Sequence, residues 1–476
     1  MGLAFGVFNS ILAKGMGNIM KNSPTSALLA TVLALTGGMA LLSPRESSAL
    51  GETSTTIATS CSKRLLVYEN GASLSKFPSS SQLSRSVSIG SESVVSGNTC
   101  WTATASVKWL SVQPSGKNLV LTANPSGLTT DVVHMATVTV QSTNSPAQTA
   151  TIPVALWVGS SDPGTITLAQ STAAVATNPV EPFAYVSAGS SSVYAFNVYT
   201  GQLVKTFTNV APTVGSMVVS YDGVTLFAVD TTNYQIVALD AKGGKILNRY
   251  KLAGPISSDF SFAYAKPAGN PTLFAPGQGA IDVATGQLVS SPITNTNSFY
   301  DPLIAATPNG ARLAIVERGL SPGSIYTYTV SHANTGELTI TAVASSTIAG
   351  ENCQAMAVSQ DGLRLYPACG WPYEFDVYDG NTLQQVQTLP AVAYPNNAVM
   401  NSNGDFVGGV NGLYETDDVF VFNRKGYSLG VVPTTPQSYS QGQGNNLLAT
   451  SGDSTRVISA TAAVYGSQNL MFRALP

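Results

Sequence analysis

One unit repeats along the sequence from residue 183 to the C-terminus. Each copy has an apolar β-run, a tight turn, a second β-run and a corner such as FNVYTG at 196–201. The turn recurs at 220–223, 307–310, 359–362, 401–404 and 451–454. Successive turns are roughly 42–52 residues apart if the step from 220 to 307 is counted as two copies. This period is typical of repeated units that bury their apolar faces only against their neighbours.

Units of this length with several β-runs predict four-stranded blades, and residues 164–476 accommodate seven of them. The first copy, 183–208, contains only late strands, and the last, 443–475, lacks its outermost strand. We expect the segment at 165–175 to complete the last copy. Such a closure would remove exposed sheet edges.

The preceding region, residues 60–159, has a different pattern. Short alternating β-runs, from RLLVYE at 64–69 to TATIPVALWV at 149–158, are separated by clusters of Gly, Pro, Asn and Ser. This pattern predicts an immunoglobulin-like β-sandwich. The expected fold class is therefore all-β: an immunoglobulin-like sandwich, a short linker at 160–164 and a seven-bladed β-propeller at 164–476.

Two resemblances fit these expectations. Trp109-Leu110-Ser111-Val112, Ala123-Asn124 and the run ATVTV at 136–140 resemble the BACON domain family, which implies a spacer or a sugar-binding module. The chain departs from that family at His134-Met135. The runs at 183–186, 220–223 and 358–362 resemble YVTN-type and quinoprotein-like seven-bladed propellers. That resemblance implies a fold and no particular chemistry.

The N-terminus predicts export. Residues 26–42 are apolar and uncharged, but too few for a comfortable membrane span, and small residues follow them. We expect a signal peptide at 1–51, with an alternative start at Met20. The other interpretation is an uncleaved anchor, which would be the sole membrane attachment. The expected location is secreted, either extracellular or periplasmic.

Four cysteines in an exported chain predict two disulfides. Cys353 and Cys369 are equidistant from Asp361, so they would lie opposite each other in a hairpin, near the separation that a disulfide needs. The remaining pair is Cys61 with Cys100, although Cys61 could instead carry a lipid.

The low charge and the lack of a recognisable catalytic motif argue against nucleic-acid binding and against catalysis. Only 10% of residues are charged, the net charge is −3, and no basic run suggests nucleic acid. The two histidines, His134 and His332, fall in different predicted domains, and no catalytic motif is visible, so we predict no catalytic residue. We predict no cofactor either, except that Glu415, Asp417 and Asp418 could hold Ca²⁺. A solvated loop is the other interpretation of that cluster.

The ligand-binding candidates are aromatic and polar residues on predicted loops. Trp371, Tyr373 and Glu374 follow Cys369 in a loop between a second and a third strand, where the rings could bind a ligand or fill a gap between blades. Five further candidates are expected near the central channel, because they start inner strands: Asp259, Tyr300, Asp301, Asn396 and Asn397.

Two hypotheses of function result. The first is an exported, non-enzymatic binding or scaffold protein whose partner is a saccharide or a cell-surface protein. The alternative is a propeller enzyme of lactonase or quinoprotein-like type that acts on a small ligand at the central channel. The alternative needs acids and arginines that converge at the channel.

Overall fold

The protein is all-β in the part that the structure, a computed structural model, describes. That part is residues 64–476 except 91–93, 96–97, 144–146, 290, 292, 294–298, 333–336, 349, 393, 412–416, 434–442 and 462–467. The predicted signal peptide at 1–51, Met20 and Cys61 lie outside it. Within it there is no α-helix, and a short 3-10 turn lies at Pro267–Gly269. None of the described segments forms a helix that could cross a membrane.

The first region packs two sheets around one apolar core. One sheet has the strand order β2-β1-β10-β9-β6 and the other has the order β3-β8-β7, with a separate pair β4-β5. The bounds are β1 (Ala72–Lys76), β2 (Ser81–Gln82), β3 (Ser84–Ser88), β4 (Val94–Val95), β5 (Asn98–Thr99), β6 (Trp101–Ala105), β7 (Leu110–Ser115), β8 (Asn118–Ala123), β9 (Val132–Ser142) and β10 (Thr149–Val158). Inward residues of both sheets, such as Leu121 and Val138, form the core.

The expected strand at 64–69 is wrong. Only an isolated bridge, Val67 to Ile89, forms there. The strand is β1, which pairs in parallel with β10. Its Ser73 and Ser75 are buried, so the sequence shows no apolar run at this position.

Seven four-stranded antiparallel sheets follow in the described residues. Six are made of consecutive strands, and the seventh combines three C-terminal strands with β11. The bounds are β11 (Ile166–Ala169), β12 (Ala174–Thr177), β13 (Phe183–Ser187), β14 (Val193–Asn197), β15 (Leu203–Phe207), β16 (Val214–Val219), β17 (Thr225–Asp230), β18 (Gln235–Asp240), β19 (Ile246–Lys251), β20 (Ala263–Ala265), β21 (Thr272–Ala275), β22 (Gly279–Asp282), β23 (Leu288–Val289), β24 (Pro302–Ala306), β25 (Arg312–Glu317), β26 (Ser324–His332), β27 (Leu338–Thr347), β28 (Glu351–Val358), β29 (Arg364–Trp371), β30 (Glu374–Asp379), β31 (Gln385–Pro390), β32 (Pro395–Met400), β33 (Phe406–Val410), β34 (Asp417–Phe422), β35 (Ser428–Pro433), β36 (Gln443–Thr450), β37 (Arg456–Thr461) and β38 (Asn469–Ala474).

The seventh sheet joins the two ends of this region. β11 pairs with β38, from Ile166 opposite Phe472 to Ala169 opposite Asn469. This confirms that part of the segment at 165–175 completes the last copy, namely Ile166–Ala169, whereas Ala174 and Val175 belong to β12 in another sheet. The first copy is not short of a strand, however, because β12 supplies its first strand upstream of the expected start.

The first strands of the seven sheets form a closed circuit of neighbours. β12, β16, β20, β24, β28, β32 and β36 each contact the next, and β36 contacts β12. We refer to the seven sheets as the ring. Because the strands are antiparallel, the turns between strands 1 and 2 and between strands 3 and 4 lie at one end of each sheet, the turn end. The loops between strands 2 and 3 and the connections to the next sheet lie at the other, the crossover end.

The repeated turn motif has a specific structural role. Ser220 Oγ donates to Asp222 Oδ1 at 2.6 Å, and the Gly223 N–H donates to the Ser220 carbonyl at 2.8 Å. Gly223 has φ 72°, which favours glycine because it has no Cβ. The same Ser–Asp hydrogen bond recurs from Ser359 to Asp361 at 2.6 Å. The motif therefore closes hairpins at the turn end.

The sandwich packs against the turn end of the ring. The rings of Phe77 and Trp157 lie 5.1 and 5.3 Å from the Tyr199 ring, centroid to centroid. Arg85 Nη1 donates to the Gly452 carbonyl at 2.6 Å, and Lys266 Nζ donates to the Val67 carbonyl at 2.9 Å.

The linker between the two regions is fixed in place. The buried Arg456 donates to the carbonyls of Pro163 and Gly164, at 3.1 and 2.6 Å. Burial lowers the pKa of this guanidinium to about 10, which still leaves it charged at neutral pH.

The predicted disulfide in the ring is confirmed. Cys353 and Cys369 are bonded, and they are directly opposed in the register of β28 and β29. Cys100 is also disulfide-bonded. Its predicted partner, Cys61, lies outside the described residues.

Candidate ligand-binding site

Two exposed aromatic residues stand on the crossover end of the sheet β28–β31. Trp371 is the last residue of β29, Tyr373 directly precedes β30, and their side chains are 51% and 41% exposed. The predicted loop between a second and a third strand is present but shorter than expected, because Trp371 ends β29 and Glu374 starts β30 and only residues 372–373 lie between them. The Cys353–Cys369 disulfide braces the base of the loop.

The Tyr373 ring contacts the ring of Tyr394, which directly precedes β32, the first strand of the next sheet. The two rings lie 5.3 Å apart, centroid to centroid, at 68°. A hydrogen bond to Tyr373 is the main cause that raises the pKa of Tyr394. The Tyr394 phenol is therefore neutral at physiological pH, and a neutral phenol can both donate and accept a hydrogen bond.

A pocket of 150 Å³ lies beside Tyr394 and is lined mainly by amides. The Asn411 N–H donates to the Tyr394 carbonyl at 2.9 Å, and Asn396 is buried. Gly370 permits the close approach, since a Cβ there would lie 3.3 Å from the Tyr394 ring. The lining residues are Asn352, Gln354, Gly370, Tyr394, Pro395, Asn396 and Asn411.

The polar groups of this pocket are uncharged and partly unsatisfied. Gln354 Nε2 donates to Asn352 Oδ1 at 2.6 Å, and Asn397 Nδ2 donates to Asn396 Oδ1 at 2.7 Å. Asn411 Oδ1 is buried without a hydrogen-bond partner among the described residues. Leaving a buried acceptor unpaired costs about 1–3 kcal/mol, so a ligand hydroxyl that donated to this oxygen would recover that free energy.

Glu374 lies at the edge of this group. It is half-buried at the start of β30, opposite Pro390. Burial is the main cause that raises the pKa of Asp376, and the Glu374 charge adds to that shift. The Glu374 carboxylate therefore lies near Asp376, and Glu374 is not among the residues that line the pocket.

The other predicted acids gather around one arginine that the sequence did not single out. Arg318, which is buried and directly follows β25, forms ion pairs with Asp259 and with Asp301, the latter at 2.8 Å from Nε to Oδ2. The two carboxylates are about half exposed. Tyr300 is exposed, and its N–H donates to Glu317 Oε1 at 3.1 Å. Asp259, Tyr300 and Asp301 are thus brought together at the crossover end.

Backbone hydrogen bonds connect this cluster to the amide-lined pocket. The Gly319 N–H donates to the Cys353 carbonyl at 3.1 Å, and the Asn352 N–H donates to the Leu320 carbonyl at 2.9 Å. The loop after Arg318 therefore borders the strand that carries Asn352. The structure places aromatic, amide and ion-paired groups on adjacent sheets at one end of the ring.

The predicted Ca²⁺ cluster is only partly described. Glu415 and the side chain of Asp417 lie outside the described residues. Asp418 is buried and accepts a hydrogen bond from Arg473 Nη1 at 2.7 Å. Among the residues that the structure describes, no three His, Cys, Asp or Glu side chains cluster in a way that could hold a metal ion.

Comparisons with known proteins do not assign this chain to a family. No protein-family model matches the sequence, and no curated protein matches it.

Proposed function

We propose that the chain is an exported, non-enzymatic binding protein that holds a neutral saccharide at the crossover end of its ring. In this proposal the sandwich is an immunoglobulin-like domain of BACON type, and the seven sheets form a seven-bladed β-propeller. The closed circuit of first strands and the pairing of β11 with β38 support the propeller assignment. The confirmed disulfide supports an extracellular or periplasmic location.

One observation carries the ligand assignment: Trp371 and Tyr373 are both exposed on a disulfide-braced loop beside an amide-lined pocket. Ligand sites combine apolar and aromatic walls with a few polar groups that fix orientation. An aromatic face offers an apolar surface to the C–H groups of a sugar ring. The amides of Asn352, Asn396 and Asn411 offer donors and acceptors to its hydroxyls.

The test is binding of the purified protein to an array of neutral and acidic glycans. We expect a neutral glycan to bind, and Trp371→Ala to weaken that binding tenfold or more while the fold is kept. Affinity should change little with ionic strength, because no formal charge lines the pocket. Tyr427→Ala is the matched control, since Tyr427 is an exposed ring at the turn end of another sheet. Unchanged affinity in Trp371→Ala would overturn the assignment.

The cluster at Arg318 favours a second candidate, a propeller enzyme that acts on a small ligand. Asp259 and Asp301 are half-exposed carboxylates held by one buried guanidinium, the kind of convergent set that this alternative needs. A carboxylate there could act as a general base, with Arg318 beside the developing negative charge. Screening lactone and ester hydrolysis with the wild type and Arg318→Gln tests it. Any activity that persists in Arg318→Gln would argue against this cluster.

A further inference from the structure

The sandwich and the turn end of the ring enclose a cleft of 960 Å³, which we call the interdomain cleft. Glu69 and Lys117 lie on its sandwich wall, and Arg364, Asp379 and Arg424 lie on its ring wall. Pockets form preferentially at domain interfaces, and this volume is at the upper end of the usual range for small-ligand sites. The cleft is at the opposite end of the ring from Trp371, so a ligand site in it is independent of the proposed function.

Two of the acids in the cleft are already occupied by the turns to which they belong. Asp361 Oδ1 accepts from Ser359 Oγ at 2.6 Å and from the Leu363 N–H at 3.0 Å. Asp379 Oδ1 accepts from the N–H groups of residues 381 and 382, both at 2.9 Å. Their hydrogen bonds are explained by the fold alone.

Three charged groups in the cleft are not explained in this way. The side chains of Glu69, Lys117 and Arg364 make no hydrogen bond or ion pair with any residue that the structure describes. Glu69 is half-buried and Arg364 is half-buried, so neither is simply displayed on the outer surface. The charges of Arg85 and Arg424 act on Glu69, and that of Arg364 acts on Asp379, but without a direct hydrogen bond or ion pair. The cleft therefore presents one strong acceptor and two strong donors whose hydrogen-bonding capacity the described chain does not use.

The signs of these groups restrict the ligand. Three cations, Lys117, Arg364 and Arg424, and three anions, Glu69, Asp361 and Asp379, line the cleft, so its formal charge is zero. An anionic ligand would pair with Arg364 and meet repulsion from Glu69, and a cationic ligand would do the reverse. A hydroxyl both donates and accepts, so a ligand rich in hydroxyls can satisfy donors and acceptors together.

We propose that the interdomain cleft is a second ligand site, for a neutral, hydroxyl-rich chain such as an oligosaccharide segment. Arg364 and Lys117 donate to its hydroxyls, and Glu69 accepts from them. The exposed Leu363 and Val386, which also line the cleft, offer an apolar lip to its C–H faces.

The test is calorimetric titration of the full chain with a panel of neutral tetrasaccharides (gluco-, manno- and xylo-configured) and with tetragalacturonate as the acidic probe. We expect at least one neutral tetrasaccharide to bind. Its affinity should fall tenfold or more in Arg364→Gln and in Glu69→Gln, fall less in Lys117→Gln, and remain unchanged in Trp371→Ala. Lys205→Gln is the matched control, because Lys205 is an exposed lysine on β15, away from the cleft.

Three results would overturn the proposal. They are no binding by any neutral tetrasaccharide, preference for tetragalacturonate, or full affinity in both Arg364→Gln and Glu69→Gln. If binding is lost only in Trp371→Ala, the crossover-end site stands and the cleft is not a site. If no neutral glycan, on the array or in the titrations, binds more weakly to Trp371→Ala than to the wild type, while the cleft variants lose binding, the cleft stands and the proposed function at Trp371 fails.

Discussion

At the scale of single residues, Glu69 couples the interdomain cleft to pH. Burial raises the pKa of its carboxyl, and the charges of Arg85 and Arg424 oppose that shift without cancelling it. The folded state therefore binds this proton more tightly than the unfolded state. By linkage, the contribution of Glu69 to stability is greatest below its unfolded pKa near 4.5 and is lost as the pH rises through the folded value.

We therefore expect Glu69→Gln to be more stable than the wild type at pH 7. The difference should shrink as the pH falls towards 4.5, because the wild-type carboxyl becomes neutral as well. Thermal unfolding of both proteins from pH 7 to pH 4.5 measures this. A Glu69→Gln variant that is less stable than the wild type at pH 7 would show that the attraction of nearby arginines outweighs the cost of burial.

The residues that the sequence could and could not identify differ in their surroundings. Trp371 and Tyr373 were predictable because their loop follows from local strand spacing and from the position of Cys369. Arg318 and Tyr394 were missed, because each takes part in the candidate sites only through contacts with residues from another segment: Arg318 with Asp259 and Asp301, and Tyr394 with Tyr373. Arg318 is separated by 59 residues from Asp259, and no local pattern records that pairing.

At the scale of elements, the hairpin of β28 and β29 is held together by a disulfide as well as by strand pairing. The Cys353–Cys369 bond closes a loop with a sequence separation of 16. In the chain-entropy picture, a loop of this size stabilises the fold by about 3 kcal/mol, because the unfolded chain is restricted. Both sulfurs are buried, so alanine is the appropriate replacement.

We expect Cys353→Ala/Cys369→Ala to lower the free energy of unfolding by about 3 kcal/mol in urea titrations, with the β-sheet circular dichroism spectrum retained. The spectrum should be kept because each sheet of the ring has its own strand pairing and its own packed faces. Both proteins are measured without reductant, so that the other disulfide, at Cys100, stays intact in each. Equal stability of wild type and variant would contradict the entropic account.

The elements that the sequence predicted well are those with alternation or a turn motif. The hairpins of the ring have both, because Asp-Gly or Asn-Gly turns fix their register. β1 has neither, since its buried Ser73 and Ser75 make a core strand look like a polar segment. The parallel pairing of β1 with β10 makes those positions interior, and that pairing joins residues about 80 positions apart in the sequence.

At the scale of the whole molecule, the sandwich and the ring share an interface that no local pattern could reveal. The sequence predicted two units and a linker, whereas Phe77 and Trp157 bury their rings against Tyr199. The Tyr199 hydroxyl in turn donates to the buried Asp453 at 2.7 Å, and burial is the main cause that raises the pKa of Tyr199. Arg456 holds the linker beside the same strands, so the contact reaches the sheet that closes the ring.

This continuity predicts that the sandwich and the ring unfold together. Calorimetry of the wild type should show one transition, because loss of the sandwich would expose Tyr199 and leave the turn end of the seventh sheet without its cover.

Trp157→Ala removes a large buried ring from the interface, and such truncations cost about 3–5 kcal/mol. We expect it to split the transition, with the sandwich melting first. Val224→Ala, at an exposed turn of the ring, should leave a single transition. A wild type that melts in two well-separated steps would mean that the interface does not couple the two regions, and the interdomain cleft would then lack a rigid frame.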